Sequence, residues 1–247
     1  MVLETLVKPW KAKETSLNMV LYGALYASIA VILSLWIFKD QASMIMVFLT
    51  VLACVPFLYR AMIREEKMEM RVKDETKILQ AHSRILKFLI FLFIGFVIAF
   101  SLWFIFLPAS TVDILFRTQM NTISTINQVT QVTGAASSTE FLSAIIANNL
   151  KVLFFCLFFS FFYGAGAIFI LTWNASVIAA AIGTFVRNNL GAYAQQIGLI
   201  KAAGYLHILS LGMLRYMTHG ILEIAAYFIG ALAGALISVA VVHHDLG

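Results

Sequence analysis

The chain is predicted to be an all-α, polytopic membrane bundle of about six spans. Three observations carry that prediction. Hydrophobic residues make up 62% of the 247 positions and charged residues only 12%, about half the charge of an ordinary soluble domain. The apolar residues gather into runs of about 20, the length that crosses a bilayer as a helix. Between the runs, basic residues concentrate in some segments and are nearly absent from others.

Four runs fit a spanning helix: Leu17–Phe38, Ala42–Tyr59, Phe88–Leu107 and Val152–Trp173. The second is short, with Pro56 near its end, where a missing N–H kinks a helix. A fifth region, Ala175–Ile200, is interrupted by Arg187-Asn188-Asn189. It reads either as a fifth span or as a re-entrant half-helix, Ala175–Val186, followed by an interfacial helix around Leu206–Met217. The sixth run is Ile221–Val242. These elements divide the chain into an N-terminal membrane hairpin (1–59), a cytoplasmic helical connector (60–87) and a membrane domain (88–247) with an external segment (108–149).

Charge sets the orientation. Lys8, Lys11 and Lys13 precede the first run, and Arg60–Lys87 carries eight basic residues against five acidic ones. The segment 108–149 has only Arg117. Basic loops stay inside, which puts the N-terminus and the connector in the cytoplasm of a cell bounded by this membrane. The net charge of +5 is therefore topological and implies no nucleic-acid partner. Arg60–Lys87 has no Gly or Pro and reads as one helix of about 42 Å. It could dock a cytoplasmic partner or an anionic lipid surface.

In the external segment, Met120, Ile123, Ile126, Val129 and Val132 recur every third residue and Gly134 follows. This predicts a helix with an apolar stripe lying on the outer interface or on a neighbouring chain. Ser137 and Glu140 form a capping-box pattern before Phe141. Cys54 and Cys156 lie within apolar runs and read as buried thiols.

The C-terminal third carries the candidate site. Glu223 stands at the head of the last apolar run, and a carboxylate at membrane depth is costly unless it faces a bundle interior. His219 lies one helical turn earlier, and Ala226 and Gly230 share that face. With Asn149, Asn174 and Arg187 they form a predicted buried polar cluster. Small residues at four-residue spacing, Ala226, Gly230, Gly234 and Ser238 in one helix and Ala175, Ala179 and Gly183 in another, predict close helix packing and self-association. Gly164 in the fourth run belongs to the same class.

The order Asn148-Asn149, Gly164, Asn174, Gly183 and His219-Gly220-Ile221-Leu222-Glu223, with Gly230 and Gly234, resembles the stage II sporulation protein M family over roughly residues 85–242. Ala175 stands where the family usually has Gly and Thr218 where it often has Pro, which marks a distant branch outside sporulation, of a kind also found in archaea. In spore-forming bacteria the family member anchors peptidoglycan-degrading partners during engulfment. The resemblance implies a non-catalytic membrane scaffold in envelope or membrane remodelling, with a cytoplasmic or envelope protein as partner.

Two other function classes compete. A permease or lipid-handling component is motivated by Glu223 and the glycine-broken fifth region. An intramembrane metal protein is motivated by His219, Glu223 and His207. The spacing is not HExxH, and neither a GxSxG elbow nor a phosphate-cradling glycine loop occurs. The sequence thus predicts no enzyme, no metal and no cofactor. Glu223→Leu is expected to lower the melting temperature in detergent more than Glu140→Leu in the external segment, because it leaves a buried basic partner unpaired. Equal melting temperatures would contradict the buried cluster.

Overall fold

Apolar helices in lipid must satisfy every backbone group internally, and the architecture follows that rule. In the computed structural model, residues 16–69, 75–132, 146–147, 150, 154, 158, 165–190, 198–219, 225, 228–230 and 233 are described. Among them no strand occurs. Seven helices are delimited: α1 (Ser16–Ile37), α2 (Ala42–Glu69), α3 (Glu75–Phe106), α4 (Ala109–Leu115), α5 (Arg117–Val132), α6 (Ala165–Leu190) and α7 (Gly198–His219). A 3-10 turn, Lys39–Gln41, joins α1 to α2.

Among the described residues, four segments are long and apolar enough to cross a membrane: Leu17–Ile37, Lys39–Leu58, Ser83–Phe106 and Ile168–Leu190. The first three match the first three runs read from the sequence. The last apolar run, Ile221–Val242, lies largely outside the described residues.

The connector is helical at both of its described ends, α2 to Glu69 and α3 from Glu75, because nothing in 60–69 or 75–87 breaks them; residues 70–74 lie outside the described residues. One reading is corrected: the boundary drawn at Asn174. α6 runs unbroken through it, joining the end of the fourth run to the start of the fifth. The Asn174 side-chain amide donates back to the Ile170 carbonyl at 2.8 Å, so the residue is satisfied inside the helix. Ala175, a strong helix former, stands where Gly would loosen the turn. α6 continues past Val186 to Leu190, and residues 191–197 lie outside the described residues.

The core forms where α1, α2, α3 and α6 meet, around Met46, Leu58, Leu92, Phe96, Phe100 and Ile168. α1 packs most extensively on α3. A glycine pair permits this approach. A Cβ on Gly23 would lie 2.5 Å from the Leu92 carbonyl oxygen and 3.3 Å from Gly95 Cα, and one on Gly95 would lie 2.9 Å from the Ala24 nitrogen. Ala27 and Ala99, one turn farther on each helix, are buried too. Trp103 Nε1 donates to Ser28 Oγ across the same interface at 3.1 Å.

The opposite face of α1, formed by Leu17, Leu21, Leu25, Ile29, Ile32 and Trp36, is exposed. This is the pattern of a helix with one face on a bundle and the other on lipid. Ile146, Leu150, Phe154 and Phe158 are helical and exposed at four-residue spacing. Gly95→Ala is expected to cost about 1–3 kcal/mol through overpacking, visible as a lower melting temperature. A variant as stable as the parent would show that the two backbones are not in contact.

Candidate functional site: helix ends capped across the bundle

α1 and α3 run parallel, since Gly23 lies beside Leu92 and Gly95, and Ser28 beside Trp103. The α1–α2 turn and the end of α3 therefore share one end of the bundle. α4 packs against both the turn and α2. At this end, helices stop and start, so their terminal N–H and C=O groups lack partners within the helix. The structure supplies those partners from other helices.

The first cap is built on Ser43, in the first turn of α2. Its Oγ accepts from the Thr118 backbone N–H at 3.0 Å, filling one of the open donors of the first turn of α5. The same hydroxyl donates to Gln119 Oε1 at 2.8 Å. Gln119 Nε2 then donates to the Ser43 carbonyl at 3.3 Å and to Ser176 Oγ on α6 at 3.2 Å. Ser176 Oγ donates to the Trp173 carbonyl at 2.7 Å. Ser43, Gln119 and Ser176 are all buried. A buried amide with both donors and its oxygen engaged avoids the penalty of an orphaned polar group.

The second cap is Arg187, near the end of α6. Its Nη2 donates to the Ile105 carbonyl at 3.3 Å and to the Leu107 carbonyl. These are among the open acceptors at the end of α3, where the helix dipole also favours a cation. The guanidinium lies 5.5 Å from the centroid of Phe104, a cation–π distance. Phe104 packs on Phe116 at 4.9 Å. Gly183 makes room for it, since a Cβ there would come within 2.5 Å of the Phe104 ring.

Of the residues predicted from sequence, Ala179 and Gly183 are buried on α6, and Gly230 is buried beside Phe228, whose ring lies 5.5 Å from that of Phe93. Asn174 and Arg187 are not brought together. They are thirteen residues apart on α6, about 20 Å along its axis, and each bonds to different backbone carbonyls. His219 is the last residue of α7. Glu223, Asn149, Gly164, Ala226 and Gly234 lie outside the described residues.

The sequence reading missed Ser43, Gln119, Ser176 and the Gly23–Gly95 contact. For the last a signal existed: Gly23/Ala27 and Gly95/Ala99 are both small residues at four-residue spacing. Among the described residues, no three His, Cys, Asp or Glu side chains cluster so as to hold a metal. The site offers hydroxyls, an amide and a guanidinium, all engaged in holding helix ends.

Gln119→Leu takes away the acceptor of the Ser43 hydroxyl and the donor to the Ser176 hydroxyl and is expected to cost about 1–3 kcal/mol. Asn121→Leu, on the exposed side of the same helix, is expected to cost less. Equal effects in a detergent melt would show that the network contributes nothing.

A search of curated proteins and of solved structures finds no match. The family profile described as Stage II sporulation protein M matches residues 85–246, a stretch that begins within α3 and includes Gln119, Ser176 and Arg187 but not Ser43. The chain belongs to the stage II sporulation protein M family.

Proposed function

We propose that the protein is a non-catalytic integral membrane scaffold of envelope or membrane remodelling, which displays the α4–α5 unit as a fixed platform on its outer side. The reading rests on family membership together with the doubly capped end. A transport element that moves must break and remake its contacts, whereas here α5 is tied to α2 and α6 through one amide and α6 is tied to α3 through Arg187. Arg60, Arg84 and Lys87 are exposed toward the opposite end. Their charge supports a cytoplasmic placement of that end and of the N-terminus in the cell membrane, with α4 and α5 outside.

A scaffold of this kind has partners. Small-residue faces support self-association, and the charged extensions of α2 and α3 support a cytoplasmic partner. Gentle extraction from native membranes, crosslinking and identification of what co-purifies tests the reading. A stable self-oligomer or a stoichiometric envelope or cytoplasmic protein is the expected result. A strictly monomeric chain recovered alone, in both crosslinked and native gels, would contradict it.

A further inference from the structure

We infer that the bilayer boundary on the α4–α5 side passes through Trp36 and Phe106, and that these rings anchor the bundle at the lipid headgroup level. The inference rests on the membrane reading above and adds to it a depth. Trp36 is 80% exposed and Phe106 78%, the most open large hydrophobic residues described. Each lies near the end of an outward apolar row. On α1 the row runs from Leu17 to Trp36, and on α3 Leu102 precedes Phe106 by one turn. After Trp36 come the exposed Ile37 and Phe38 and then the exposed polar Lys39, Asp40 and Gln41, and beyond Phe106 the exposed Ser110, Asp113 and Arg117.

The lengths agree independently. Leu17 to Trp36 and Lys87 to Phe106 are each nineteen residue steps, about 28 Å of helix, close to the ~30 Å hydrocarbon thickness. The packing register agrees as well. Gly23 lies beside Leu92 and Gly95, an offset of about seventy residues that puts Leu17 level with Lys87 and Trp36 level with Phe106. A lysine marks one plane and the Trp36 indole the other, residue types that settle at bilayer interfaces, with the Phe106 ring level with the indole.

One consequence concerns Arg187. It reaches the carbonyl of Leu107, one residue past Phe106. Its guanidinium therefore sits at the boundary plane, not at mid-bilayer, and spares the chain the cost of a charge in hydrocarbon. The α4–α5 unit lies against this plane on the headgroup side.

The test uses the full chain with Trp36 as its sole tryptophan (Trp10→Phe, Trp103→Phe, Trp173→Phe). It is reconstituted in phosphatidylcholine vesicles brominated either near the headgroup end or near the methyl end of the acyl chain. Quenching about twofold stronger by the headgroup-end label is expected for an interfacial ring. Stronger quenching by the methyl-end label, or none by either in a chain retained through carbonate washing, overturns the boundary and leaves the membrane reading standing. Release of the chain by the wash overturns the membrane reading itself. Should the triple variant not fold, Phe106→Cys carrying a polarity-sensitive dye replaces it, with the parent labelled in parallel for the Cys54 and Cys156 background. Emission typical of headgroups supports the boundary. Emission typical of bulk water or of hydrocarbon overturns it.

Discussion

The structure depends on what happens to backbone groups where helices end next to lipid. A helix leaves four N–H groups open at its start and four C=O groups open at its end, and where these are buried among other helices water cannot satisfy them. At the end of the bundle shared by α2, α3 and α5, side chains from neighbouring helices take the place of water. Ser43 fills a donor of α5. Arg187 fills acceptors of α3. Because each cap comes from a different helix, satisfying the backbone and fixing the tertiary arrangement are one event.

This explains the choice of residues. Ser43 is small enough to sit at a helix junction and still offer both a donor and an acceptor. Gln119 reaches two helices because its amide carries two donors on one nitrogen. Arg187 spreads its donors over a plane, which lets one nitrogen serve two carbonyls while the flat face rests on Phe104. Lysine at 187 would keep the charge and lose that geometry. Gly183 and the Gly23–Gly95 pair have the complementary task of removing bulk where helices must approach.

Much of the scaffold was legible in the sequence because lipid imposes length and hydropathy directly. The first three apolar helices, the helix that carries Met120 to Val132 and the family all followed from runs, spacing and motif. What was not legible depends on tertiary partners. Asn174 looked like a helix breaker, and only its bond to Ile170 shows it to be harmless within a continuous helix. Gln119 looked like one polar residue among many in 108–149, since nothing in its neighbours tells that Ser43 and Ser176 will surround it. The glycine pair gives a weaker signal than the denser stripe near Gly230, because Gly23 and Gly95 each have one small residue four positions on and lie far apart in the chain. Arg187 was expected to need a carboxylate, whereas open carbonyls at a helix end serve a cation as well.

The claim that helix ends are capped across the bundle is tested most directly by amide hydrogen exchange at Thr118 in the parent and in Ser43→Ala. Its N–H is held only by Ser43 Oγ among the described bonds. Removal of that hydroxyl is predicted to speed exchange at Thr118 by about tenfold, the equivalent of roughly 1.4 kcal/mol of lost protection, with amides in the middle of α6 unchanged. Equal protection of Thr118 in both proteins would contradict the account.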